Sequence, residues 1–174
     1  YPATFQVGAF FSNGGRELYV QRLLASDAVA ASVDLLTAGD ATVATVTSKN
    51  AGTDGNNLRV VITAGSVAST YTLTLYKESG VANDITDDIL LERYENIVFN
   101  DETSSDFAET VINLVSPNIS ISNSASGTPV STTYPLTGGD NGTATADTDY
   151  TDYKGNGSAV FEQFTSLDRP LVMF

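Results

Sequence analysis

The sequence predicts an α+β fold in which a β-rich domain is inserted into a discontinuous α/β domain. Three observations predict it. Between residues 42 and 99, strand-length runs with apolar residues at every second position follow one another. Near either end of the chain a helical apolar stripe leads directly into a strand-like run, the alternation of an α/β layer. The stretches between these regions, 26–40 and 122–152, are rich in Ala, Ser, Thr, Asp, Asn and Gly and read as connections.

In order along the chain, Phe5, Val7, Phe10 and Phe11 fall at roughly helical spacing over Ala3–Phe11, and Asn13-Gly14-Gly15 supplies residues that stop a helix. Leu18–Leu24 alternates apolar and polar positions and reads as a strand. Ser26–Asp40 has no firm period and reads as a connection into a region of different character. Strands then follow at Thr42–Ser48, at Leu58–Ala64 with Leu58, Val60 and Ile62 on one face, and at Thr70–Tyr76 with Tyr71, Leu73 and Leu75 on one face. Between the first two, Asn50–Asn57 holds two glycines and three asparagines and should be an ordered loop of turns.

Ile89–Phe99 reads as a further strand with mixed faces. Asp106 followed three residues later by Glu109 has the form of a helix N-terminal box, with Phe107, Val111, Leu114 and Val115 as the apolar face and Pro117 as the stop. Ile119 and Ile121 mark a brief strand. Ser122–Asp152, with Pro129, Pro135 and the turn Gly138-Gly139-Asp140-Asn141-Gly142, is expected to connect rather than pack. Ser158 can cap a last helix with the stripe Val160, Phe161, Phe164 and Leu167, which Pro170 stops before the apolar run Leu171–Phe174. The expected organisation is a first segment of the α/β domain at 1–25, an inserted β-rich α+β domain at 41–135, and a connection and return segment at 136–174. The start at Tyr1 and the apolar close predict a piece of a longer protein.

Composition narrows the chemistry. Of 174 residues, 21 are acidic and 8 basic, a formal charge of -13, which disfavours nucleic acid and anionic membrane as partners. There is no cysteine and no histidine, so disulfides, thiolate nucleophiles and the commonest general base and zinc ligand are missing. The alternating carboxylates Asp147, Asp149 and Asp152 fail as a calcium loop, since the sixth position is Asp152 and the twelfth Ser158 where Gly and Glu are needed. No phosphate loop or dinucleotide fingerprint is present. Carboxylate pairs such as Asp87 with Asp88, or Glu92 with Glu95, are expected by chance among so many acids. No catalytic, cofactor-binding or metal-ligating residue is therefore assigned, and the chain is expected not to be an enzyme.

Three segments carry a resemblance. Phe10-Phe11-Ser12-Asn13-Gly14-Gly15 with Tyr19-Val20-Gln21-Arg22 resembles the Phe-Phe-x-Asn-Gly-Gly turn and Val-x-Arg strand of the tail sheath proteins of contractile bacteriophages. Ala51-Gly52-Thr53-Asp54-Gly55-Asn56-Asn57-Leu58 is similar to that family's Pro-Gly-Thr-Trp-Gly-Asn-x-Leu element, with Ala51 and Asp54 in place of Pro and Trp. Leu136-Thr137-Gly138-Gly139-Asp140-Asn141-Gly142 resembles its Leu-x-Gly-Gly-x-Asp-Gly element, with Asn141 where Asp is usual. The structural residues so marked are Phe10, Phe11, Asn13, Gly14, Gly15, Arg22, Gly52, Gly55, Asn56, Leu58, Leu136, Gly138, Gly139, Asp140 and Gly142. The resemblance implies an internal part of a sheath subunit that self-assembles into a helical cylinder around a tail tube and contracts to drive the tube through a host envelope. It also implies partners in other sheath subunits, the tube protein, and baseplate and terminator proteins. Its place would be the virion tail after assembly in the host cytoplasm, with no cofactor. Two other readings stay open: another virion structural protein (tube, baseplate or capsid decoration), and an extracellular carbohydrate-binding or adhesion module, which would show exposed aromatics on one sheet face.

Overall fold

The computed structural model describes residues 2–18, 25, 27–79 and 86–143. All but the first residue of the expected strand Leu18–Leu24, and the whole of the closing helix and the run Leu171–Phe174, lie outside the described residues. The chain divides into two units, Tyr1–Leu23 with Ala146–Phe174, and Leu24–Thr145.

In the first unit, helix α1 spans Pro2–Ser12. It ends in a paired turn: Gly14, at φ 88°, donates its N–H to the Phe11 carbonyl, and Gly15 donates to that of Phe10 at 3.0 Å. Two carbonyls left over by the last helical turn are thereby satisfied at a left-handed glycine. A β-carbon at Gly15 would lie 2.2 Å from the Phe10 ring, so a side chain there would have to displace that ring.

Among its described residues the second unit is mixed, with two antiparallel sheets, one α-helix and a short 3₁₀ turn. β1 (Ala30–Leu36), β2 (Thr42–Ala51) and β6 (Ile119–Asn123) form one sheet in the order β1-β2-β6. β3 (Leu58–Ala64), β4 (Tyr71–Lys77), β5 (Ile89–Ile97) and β7 (Thr133–Pro135) form the other in the order β5-β4-β3-β7. Helix α2 (Ala108–Val115) runs into β6. The register puts Val33, Val46 and Ile121 in one row of the first sheet, and Ser32, Thr47 and Ser120 in the row facing away. In the second sheet Val60 pairs with Leu75 and Tyr134, and Ile62 with Leu73. The alternating apolar residues of both sheets, with Ala108 and Ile112 of α2, Phe99 and Leu136, make a single buried cluster.

Four expectations are corrected. Ser26–Asp40, read as a connection, contains β1. Its Ala, Ser and Asp are weak strand formers, and pairing with β2, which buries Ala31 and Leu35, overrides that weakness. Ser122–Asp152, read as packing nothing, contains β7 and buries Tyr134 and Leu136 in the core. The N-terminal box of α2 does not form. The residue before the helix is Phe107, with no side-chain cap, and the Glu109 carboxylate instead accepts the Asn123 N–H at 2.8 Å. The buried face of α2 holds Phe107, Ala108 and Ile112, with Val111 beside it, whereas Leu114 is 82% exposed. The helix is rotated by its fastening to β6, where the Asn113 amide donates to the Ile121 carbonyl and accepts from its N–H.

Glu92 joins β5 to the turn after α2. Its carboxylate accepts from the Tyr94 hydroxyl at 2.6 Å, from the Ser116 hydroxyl at 2.7 Å, and from the Asn118 backbone and side-chain amides. Burial, and next the hydrogen bond to Glu92, push the Tyr94 phenol from its ordinary 10.0 up to about 12. The folded-state value lies above the unfolded one. The stability it brings is therefore complete below about pH 10 and is lost as pH rises to about 12. Burial also raises the Tyr134 phenol, so phenolate absorbance in the wild type should show late-titrating phenols, and Tyr94→Phe should lose the one near pH 12 while keeping that of Tyr134. A wild type whose phenols all titrate together near pH 10 would refute this.

Candidate functional site

The features that stand out in the second unit are turns. After β2 the chain passes Gly52, at φ 113° and ψ 173°, a conformation that only glycine adopts without strain, and enters a 3₁₀ turn over Thr53–Asn57. Gly52 donates its N–H to the Val29 carbonyl at 2.9 Å. Gly55 is buried against β1 and β2, and a β-carbon there would sit 2.8 Å from that of Ala31.

The segment after β7 lies against this turn. Leu136 is fully buried and donates its N–H to the Leu58 carbonyl at 2.9 Å. The Asn56 side chain then reads the backbone of Gly139 from both sides, donating to its carbonyl at 2.9 Å and accepting its N–H at 2.8 Å. Asn141 reciprocates with Thr53, accepting the backbone N–H and donating to the hydroxyl, each at 3.1 Å. The close approach explains a glycine at 139, because a β-carbon would lie 2.5 Å from the Gly52 carbonyl oxygen. Gly138 and Gly142, at φ 78° and 74°, turn the chain on either side.

The carboxylates here serve the backbone. Asp140 exchanges both backbone hydrogen bonds with Val29, and its Oδ1 accepts the Gly142 N–H at 2.8 Å. Asp27 accepts from the Thr143 N–H and hydroxyl, at 3.0 Å each. Residues 27–29 and 140–143 are thus fastened to one another. Among the described residues no group of three or more His, Cys, Asp or Glu gathers as a metal site, and no helix is long and apolar enough to cross a membrane. What the arrangement does chemically is hold the backbone of two distant segments in one fixed geometry.

Of the residues marked from the sequence, the structure brings Gly52, Gly55, Asn56 and Leu58 together with Leu136, Gly138, Gly139, Asp140 and Gly142. Phe10, Phe11, Asn13, Gly14 and Gly15 form the separate turn at the end of α1, and Arg22 lies outside the described residues. Sequence reasoning missed Asp27, Ala31 and Thr143, which fell in stretches taken for connections. The sole available signal was the run of small residues Ala30-Ala31-Ser32, which permits a tight approach.

No protein-family model matches the chain, and no curated protein does. Among solved structures the fold is similar to the crystal structure of a sheath tail protein from Desulfitobacterium hafniense. The identity is 20% and the TM-score 0.47, over 79% of this chain and 26% of the other. The likeness is loose and one of fold alone, and the chain spans about a quarter of that protein's length.

Proposed function

We propose that this chain is part of a structural subunit of a contractile tail sheath, assembling with copies of itself around a tail tube and performing no chemistry. The supporting observation is that two segments resembling sheath motifs, 83 residues apart in sequence, meet through Asn56 and Gly139. The residues that carry the resemblance set backbone geometry, as a subunit valued for its shape requires.

In such a subunit the work comes from a difference in contacts. Subunits held in an extended lattice relax to a shorter, wider one when the contacts of the second state outweigh those of the first. A domain that deformed under load would dissipate that difference, so turns fastened by side chains on both sides suit the task. The proposed partners are other sheath subunits, the tube, and the baseplate and terminator proteins at its ends. The proposed place is the virion tail, assembled in the host cytoplasm, where contraction accompanies genome ejection.

Expressed within its full-length parent and mixed with tube protein, the chain is expected to appear in tube-filled cylinders by negative-stain microscopy. Discrete monomers with and without tube would sink the proposal.

A further inference from the structure

Three asparagines in the chain are followed directly by glycine: Asn13-Gly14, Asn141-Gly142 and Asn156-Gly157, the last outside the described residues. In such a pair the glycine nitrogen is an unhindered internal nucleophile, with no β-carbon to keep it from the preceding carboxamide. The two described pairs are held in different ways.

Asn13 is held by its own helix. Its side-chain amide donates to the Ala9 carbonyl at 2.8 Å, and the Gly14 N–H donates to that of Phe11 at 3.1 Å, both within one turn of α1. Asn141 is held by a segment remote in sequence. Its Oδ1 accepts the Thr53 N–H and its Nδ2 donates to the Thr53 hydroxyl, 88 residues away. The attacking atom is engaged as well, because Gly142 donates its N–H to Asp140 Oδ1 at 2.8 Å. Electrophile and nucleophile are thus each turned to another partner while the two turns stay together. Asn141 is exposed and Gly142 half-buried, so water reaches the pair.

Thr53 opens the turn that Asn56 fastens to Gly139. A local opening of that latch, with both sheets intact, withdraws Thr53 from Asn141.

We propose that Asn141 is a self-modification site gated by the latch, where the chain deamidates when the turns part. The Gly142 nitrogen bonds to Asn141 Cγ and the bond from Cγ to Nδ2 breaks. The proton given up by Gly142 leaves with Nδ2 as ammonia, and a five-membered succinimide remains. Water then opens the ring at either carbonyl, giving aspartate or isoaspartate. Aspartate keeps the backbone and accepts both Thr53 donors, its N–H and its hydroxyl, so the latch closes again. Isoaspartate carries one more carbon in the main chain before Gly142. That moves Gly142 and Thr143 out of register with Asp140 and Asp27, and the turn stays open. No substrate is turned over: each chain undergoes the change once, and assembly into a cylinder has no part in it.

Peptide mapping of the whole chain, aged at neutral pH, tests the proposal. Mass spectrometry reads the conversion of amide to acid, fragmentation separates isoaspartate from aspartate, and Asn13 serves as the reference in the same sample. Asn141 should convert more slowly in the folded wild type than in the chain unfolded by urea. Asn56→Ala opens the latch and leaves Thr53, Asp140, Asn141 and Gly142 in place. It should speed conversion of Asn141 relative to Asn13 by about tenfold or more. Ile112→Val lowers the stability of the core at α2 rather than that of the latch, and should leave the ratio where it is. Asn141 reacting as fast folded as unfolded, an unchanged ratio in Asn56→Ala, or an equal rise in Ile112→Val would each overturn the proposal.

Discussion

Arg59→Leu is expected to lower the unfolding free energy by about 3–5 kcal/mol, the size seen when one partner of a buried ion pair is removed. Arg59 is 2% exposed near the start of β3, paired with Tyr76 of β4 on one side and Pro135 of β7 on the other. Its guanidinium lies 2.7 Å from Glu78 and 3.5 Å from Asp88, whose side chain is wholly buried. Asp88 accepts the Ser79 N–H on one oxygen, while among the described residues the other makes no hydrogen bond and faces the arginine's charge alone. The predicted loss therefore comes less from a forfeited attraction than from a carboxylate left buried without an opposing charge. Arg59→Lys should fall between, since one ammonium cannot replace a fork directed at two carboxylates. Replacing Arg59 and Asp88 together by leucine should cost less than Arg59→Leu alone, because the orphaned charge leaves with its partner. Urea unfolding followed by circular dichroism decides the matter. A change for Arg59→Leu no larger than the roughly 0.5 kcal/mol of a surface substitution would mean that the ion pairs do not hold the ends of the β4–β5 connection to the sheet.

How much of this was legible in the sequence depended on whether burial followed a local period. The bounds of β3 match the expected Leu58–Ala64 because Leu58, Val60 and Ile62 all face the core. β4 and β5 are likewise close to expectation, and α1 ends where Asn13-Gly14-Gly15 said it should. β1 was hidden because Ala30, Ala31, Ser32 and Asp34 have little strand preference of their own and become a strand through β2. β7 was hidden by its brevity and by Pro135, although Tyr134 beside it is a core residue. The N-terminus of α2 misled because a box of the right spacing was put to another use, with Glu109 recruited by Asn123 fourteen residues away. For the candidate site, each glycine turn was visible alone. That Asn56 meets Gly139 was not visible, since contact between segments so far apart is decided by the packing of whole sheets.

That contact supplies the second large effect. Gly139→Ala is expected to destabilise the chain by about 2–3 kcal/mol, at the upper end for overpacking because the obstacle is backbone. The new methyl would lie 2.5 Å from the Gly52 carbonyl oxygen, 3.0 Å from Asn56 Oδ1 and 3.1 Å from the Ala31 β-carbon. Gly52 cannot yield easily, since its φ of 113° and its hydrogen bond to Val29 already fix it. Asn56→Ala attacks the same contact from the other side, leaving the Gly139 N–H and carbonyl without the partners they have now, at a cost of about 1–3 kcal/mol. Because both substitutions break one latch, their effects should not add: once Asn56 has gone, the segment bearing residue 139 can shift away from Gly52, and the double variant should be clearly more stable than the sum of the two losses implies. Thermal unfolding of the four proteins of this cycle measures the coupling. Strict additivity would show that the two turns are merely neighbours, with no latch between them.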